Sequence, residues 1–201
     1  MQLIMSPASP YVYKCRVVIR EVGLLDQVEE VNVATTPLKS DPKALAANPT
    51  GKIPSLVRPD GPAIYDSRVI TRFLNDKAKA NLYAGEDAWD ILTLEATGDA
   101  IMDAAVSISY ETRLRPENEQ SPAWVDAQWG KIMGAISALQ NRWMAHLNGP
   151  LNIGQIGVAC GLSYIDFRHD ARGWRKGHDT MAAWYEEFSK RPSMIDAAPK
   201  V

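Results

Sequence analysis

Hydrophobic residues change their spacing several times along the 201-residue chain, and each change marks an element. Leu3-Ile4-Met5 is an apolar run of strand length. Ser9 followed by Pro10 then opens a helix, because serine is a favoured N-cap and proline a favoured first helical residue. Tyr11, Cys15, Val18, Ile19 and Val22 fall at helical spacing until Gly23 supplies a stop. Val28, Val31 and Val33 predict a second, weaker strand; only the crossover helix joins the two strands, so they run parallel. Residues 42–47 offer at most two helical turns. Residues 53–58 and 63–65 read as strands joined by Asp60-Gly61, a strong hairpin signal. Asp66-Ser67 caps the next helix, whose buried face is Val69, Ile70, Phe73 and Leu74.

Beyond residue 76 no strand pattern appears. Residues 77–86 are polar and alanine-rich and predict a linker. Residues 87–115 carry helical periodicity until Pro116 breaks it, and Ser121-Pro122 starts a helix that reaches about residue 147. Asn152 begins another, with Leu151 and Ile156 placed as a hydrophobic staple. Its Ile153, Ile156, Val158, Ala159, Cys160, Leu162 and Ile165 are apolar almost all round, which predicts the centre of a bundle. Residues 180–190 form a last amphipathic helix with Met181, Trp184, Tyr185 and Phe188 inward, ended by Arg191-Pro192.

Composition removes several classes of function. With 22 basic and 24 acidic residues the net charge is −2, so no broad positive field gathers nucleic acid or anionic lipid. Apolar stretches are too short to span a bilayer, and the first residues carry no secretory pattern, which predicts a cytoplasmic protein. Two cysteines far apart in sequence, Cys15 and Cys160, read as free thiols. The three histidines have no partner at ligand spacing, and no phosphate loop, nucleophile elbow or zinc motif occurs. Neither a metal nor a Ser-His-Asp hydrolase is expected.

The order βαβ then ββα over residues 1–76 is the thioredoxin-like arrangement, and residues 87–201 are all helical. The expected fold is therefore α+β in two domains, a thioredoxin-like domain followed by an all-α bundle. This layout resembles a cytosolic glutathione S-transferase over the whole chain. The resemblance includes Ser9-Pro10 after the first strand, Lys52-Ile53-Pro54 at the third, Asp66-Ser67 before the third helix, the Asn152 helix, and the closing Trp184, Phe188, Arg191, Pro192 and Ser193. It is similar above all to small bacterial members with a Ser-Pro opening. One departure is Asn152-Ile153-Gly154-Gln155, where the family has Ser or Thr-x-x-Asp; Asn still caps and Gln still reaches back.

The resemblance implies a cytoplasmic homodimer active in detoxification, which uses glutathione as co-substrate and adds its thiolate to a small electrophile. It leaves open a non-catalytic binding or regulatory protein, and a glutathione-dependent isomerase or dehalogenase in which Ser6 and Ser9 form a pair at the sulfur. It also implies that Pro54 is cis, which exposes the amide and carbonyl of Ile53 to the tripeptide beside Lys52. Asp66-Ser67 then offers a hydroxyl and helix-start N–H groups to the γ-glutamyl carboxylate. Ser9-Pro10-Tyr11-Val12 stands where a glutaredoxin reads Cys-Pro-Tyr-Cys. Serine forms no mixed disulfide, but its hydroxyl and the positive helix end lower a thiol pKa of about 8.5 by roughly one to two. Ser9 is the first candidate and Ser6 the second, with the Tyr11 hydroxyl close by. On the helical side the like-charged pair Asp99 and Asp103 is a candidate for the glutathione amine, across a dimer interface in some relatives, or else a solvated face. Tyr110, Arg113 and Trp174 are candidates for the acceptor pocket.

Overall fold

The computed structural model describes residues 1–85 and 88–200. Glu86, Asp87 and Val201, which the sequence reading places at the linker's end and at the two ends of the helical domain, lie outside the described residues. The chain divides into two compact units, Met1–Glu86 with Pro192–Val201, and Asp87–Arg191.

The first unit holds a four-stranded sheet in the order β2-β1-β3-β4, built from β1 (Gln2–Met5), β2 (Glu29–Asn32), β3 (Ser55–Arg58) and β4 (Gly61–Ile64). β1 pairs parallel with β2, as the crossover requires, and antiparallel with β3, while β3 and β4 are antiparallel, as the hairpin requires. The hairpin loop is Pro59-Asp60, since Arg58 pairs with Gly61. Gly61 is therefore the first residue of β4, not the second of the turn. Alternation of side chains along the strands divides the core. Ile4 clusters with Ala44 and Ala47 of α2 (Pro42–Ala47) and with Val57 and Ala63. Leu3, Met5 and Leu56 face the other way and are likewise buried.

α1 (Pro10–Glu21) and α3 (Ser67–Ala78) pack on one another. α3 buries Ser67, Ile70, Thr71, Leu74 and Asn75, a stripe rotated from the predicted one. Val69 is 49% exposed, and Lys77 and Ala78 of the predicted linker belong to the helix. The last helix, α9 (Pro192–Ala197), departs from the expected layout: Arg191-Pro192 reads as a stop, yet proline suits a first helical position equally well. α9 packs on α1.

The second unit is helical throughout: α4 (Ala88–Leu114), α5 (Pro122–Arg142), the single turn α6 (Met144–Leu147), α7 (Ile153–His169) and α8 (Asp179–Phe188). α7 starts in a full capping box, Asn152 Oδ1 accepting from Gln155 N at 3.2 Å and Gln155 Oε1 from Asn152 N at 2.8 Å. It is buried from Ile153 to Leu162. Its small residues let α4 approach until backbones touch. A Cβ on Gly98 of α4 would lie 2.3 Å from the Gly157 carbonyl carbon, and one on Gly154 would lie 2.6 Å from Leu94 Cβ.

Candidate active site

Three short segments meet at one end of the sheet, and the strand register explains why. β1 ends at Met5 and runs into the turn at residues 6–9. Because Ile4 pairs with Ser55, the Ile53-Pro54 step lies beside that end of β1. β4 runs antiparallel to β3, and its final residue Ile64 pairs with Leu56. The chain therefore enters Tyr65-Asp66-Ser67 at the same edge. Carboxyl ends of strands followed by helix starts form the usual ligand crevice of open α/β sheets.

Ser6 O accepts from Ser9 N at 3.1 Å and closes a turn with Pro7 at its second position. Ser9 takes extended dihedrals (φ −84°, ψ 128°), and its Oγ accepts from Val12 N at 3.4 Å. That bond is longer than the usual 2.7–3.2 Å, so it holds the hydroxyl weakly. Accepting it also leaves the hydroxyl hydrogen free to donate. Pro10, at the first helical position, removes an N–H that would need its own partner. Tyr11 is half-buried in the first turn.

The Ile53-Pro54 peptide is cis, as the sequence reading expects. Lys52 is exposed, and its carbonyl accepts from Asn48 Nδ2 at 3.1 Å and Ser55 Oγ at 3.2 Å, which ties the segment down from both sides. Among the described residues Ile53 makes no backbone hydrogen bond through its amide or carbonyl. Both groups lie just ahead of β3, beside the end of β1.

Asp66 is the N-cap of α3 and accepts from Arg68 N at 3.0 Å, while the Arg68 guanidinium sits 3.1 Å from its second oxygen. Burial pushes the Asp66 carboxyl up, but the side-chain and backbone bonds from Arg68 and the charges of Arg68 and Lys14 outweigh it and hold the group below the ordinary carboxylate range. Its contribution to stability is therefore present above about pH 4 and disappears as pH falls through the folded-state pKa. Asp66→Asn, which still caps, should cost a few tenths of a kcal/mol at about pH 7 and nothing at about pH 2, because the side chain is largely exposed. Denaturant titrations at the two pH values check this; an equal loss at both would mean that the charge is irrelevant. Ser67 is buried at the first helical position, and Cys15 Sγ lies 3.9 Å from its carbonyl. That contact seats α1 against the start of α3.

Lys14 is absent from the candidates that the sequence supplies. It lies wholly buried in α1, close enough for its charge to act on Asp66. A signal exists, since a lysine three residues after Tyr11 falls on the apolar stripe of that helix.

The remaining candidates belong to the second unit. Asp99, Asp103, Tyr110 and Arg113 all lie on α4, and their spacing puts them on one face of it. Asp99 is buried, while Asp103 and Arg113 are exposed. Tyr110 is 46% exposed, and its hydroxyl is pushed above its ordinary pKa by burial and by Tyr164. Trp174 requires correction. It exposes none of its surface, donates from Nε1 to Asp166 Oδ1 at 2.8 Å, and packs edge-on to Tyr185. A ring enclosed in this way has no face to offer an acceptor substrate.

No group of three or more His, Cys, Asp or Glu among the described residues is arranged to hold a metal ion. No described helix is long and apolar enough to cross a membrane.

Residues 8–77 match the family described as glutathione S-transferase, N-terminal domain, and residues 122–187 the one described as glutathione S-transferase, C-terminal domain. The fold is similar to a glutathione transferase family member from Pseudomonas fluorescens Pf-5 crystallised with bound glutathione, with a TM-score of 0.96 and 41% identity, covering 100% of this chain and 99% of that one. A glutathione S-transferase from Methylobacillus flagellatus KT with glutathione bound gives 0.84 and 31% identity over 99% of both chains. An uncharacterised GST-like protein of Escherichia coli K12 is 28% identical over 204 aligned residues, which is 99% of this chain and 98% of that protein. With both domain families matched in order, and a relative alike from end to end, the chain belongs to the glutathione S-transferase family.

Proposed function

We propose that this protein binds glutathione at the sheet end formed by residues 6–9, 52–54 and 65–67, and transfers its thiolate to a small electrophile. One observation carries this reading. The register brings a serine at a helix start, an open backbone edge at Ile53 and a second helix start at Ser67 to one place. The Ile53 amide and carbonyl pair with the cysteinyl residue, as one more strand would. The Ser67 hydroxyl and α3 amides take the γ-glutamyl carboxylate, while Lys52 flanks the tripeptide. Ser9 donates to the sulfur, Ser6 being the alternative donor. Glutathione bound to the structural relatives from Pseudomonas and Methylobacillus supports the choice of ligand. On α4, Tyr110 and Arg113 are the proposed contacts for the electrophile and Asp99 or Asp103 the proposed partner of the glutathione amine. Assembly as a cytoplasmic homodimer completes the reading; the exposed Tyr65 and Val69 support the dimer.

Glutathione should raise the unfolding temperature progressively with its concentration, with about 2.7 kcal/mol added at a hundredfold excess over Kd. The protein should also conjugate glutathione to a chlorodinitrobenzene-type acceptor. Loss of both effects would remove the proposal. A concentration-dependent shift without turnover would leave a binding protein and remove the transferase.

A further inference from the structure

We infer that the segment from Pro192 to Lys200 is a strap that positions Ser9, so that residues far along the sequence set the strength of the sulfur-binding donor. The inference rests on the transferase reading above and extends it to residues that touch neither glutathione nor the electrophile.

The strap runs beside α1 and is anchored at four points, three on α1 and one on the turn that precedes it. Lys200 N donates to Pro7 O at 3.3 Å. Tyr13 Oη donates to Met194 O at 2.9 Å, with Met194 Sδ 3.6 Å away. Arg16 Nη1 donates to Ala197 O at 2.7 Å, while its Nε is held by Glu30 at 2.8 Å. Ser193 Oγ donates to Glu21 at the far end of the helix. Met194 and Ala197 are 1% and 0% exposed, so the strap is fixed by burial as well as by these bonds.

Two anchors act directly on the surroundings of Ser9. The first is Pro7. Within the turn closed by Ser6 O and Ser9 N, the peptide between the two central residues makes no bond of its own, and its rotation distinguishes one turn type from another. The Pro7 carbonyl belongs to that peptide, and the strap amide holds it from outside the turn. The second is Tyr13, whose backbone N–H takes the Ser9 carbonyl at 3.0 Å while its hydroxyl is tied to Met194. Pro7, two residues before the donor, and Tyr13, four residues after it, are thereby held by one segment. Among the described residues, the 3.4 Å cap bond alone orients the Ser9 hydroxyl. A donor so loosely held by its own helix depends on its framework for direction, and small misplacement of a donor is costly in rate.

The test uses three full-chain variants. Lys200→Pro removes the one N–H that reaches Pro7, and Tyr13→Phe removes the hydroxyl that reaches Met194. Lys200→Ala keeps the backbone N–H and is the control. Two readouts are needed: amide hydrogen exchange at Val12 and Tyr13 without ligand, and the pH dependence of kcat/KM for conjugation. Lys200→Pro and Tyr13→Phe should each accelerate exchange by about threefold or more and lower kcat/KM roughly threefold to tenfold at about pH 6.5, with the deficit closing at high pH as the thiol ionises unaided. Glutathione Kd should stay within about twofold, and Lys200→Ala should match the wild type. Unchanged pH profiles in both variants would overturn the inference. So would faster exchange with an unchanged profile, because the strap would then be merely structural. Failure of the underlying reading looks different: the wild type itself would neither bind nor conjugate glutathione.

Discussion

Ser9→Ala should lower kcat/KM for conjugation at neutral pH about 10- to 100-fold while costing no more than about 1 kcal/mol of stability. The first figure follows from a hydrogen bond to a charged partner, about 1.5–3 kcal/mol, at about 1.36 kcal/mol per factor of ten. The second follows from the loss of an N-cap, reduced here because the 3.4 Å bond to Val12 is long. The sign with pH is fixed by the same argument. A donor that favours the thiolate lowers the thiol pKa, so its loss raises that pKa; the deficit is widest in mild acid and vanishes where glutathione is ionised in bulk water. Two further substitutions separate cap from donor. Ser9→Thr keeps both and should recover most of the rate. Ser9→Asp keeps a cap but, as a carboxylate, has no hydrogen to donate, and should recover stability alone. Parallel pH–rate profiles and urea titrations measure both quantities, and a rate loss no larger than the stability loss would reduce Ser9 to a helix cap.

Gly98→Ala should be among the most destabilising single changes in the helical unit, at about 3 kcal/mol or more. The methyl would have to occupy space 2.3 Å from the Gly157 carbonyl carbon and 2.6 Å from Val158 N, which are backbone atoms that no rotamer change can clear. In an exposed helix the same exchange would stabilise by up to about 1 kcal/mol, because alanine is the better helix former. The two effects have opposite signs, so the observed direction decides which governs. Gly134 on α5 supplies the comparison, since an added methyl there meets nothing within 4 Å. Thermal unfolding of the two variants should move in opposite directions. Neutral behaviour of Gly98→Ala would mean that α4 and α7 are not in backbone contact.

Most of the fold can be read in the sequence where local chemistry and tertiary packing agree. Ser9-Pro10, Ser121-Pro122 and Asn152 with Gln155 each place a helix start by chemistry confined to a few residues, and all three starts are found. The cis proline at 54 is legible only through the family resemblance, since no local feature of Ile53-Pro54 demands it. The features that escape a sequence reading depend on partners distant along the chain. Val69 sits on the edge of the apolar stripe of α3, and only the helix's rotation against α1 leaves it outside and buries Thr71 and Asn75 instead. Pro192 carries two opposite meanings, helix stop and helix start, and contacts with α1 decide between them. Trp174 is hidden because Asp166 and Tyr185 meet it through folding, which composition cannot show. Lys14 is hard to see for a related reason: a buried lysine is rare enough that its place on the stripe reads as an interruption, yet it lies in the one region where its charge acts on Asp66.

The most direct test of the account is the ionisation of glutathione sulfur in the complex, followed by the ultraviolet absorbance of the thiolate as pH is raised. If the hydroxyl of Ser9 and the amide-rich start of α1 favour the anion, the bound thiol should titrate about one to two pH units below the ordinary value of about 8.5, and the difference should be lost in Ser9→Ala. A bound thiol that titrates at or above that value in the wild type would contradict the account.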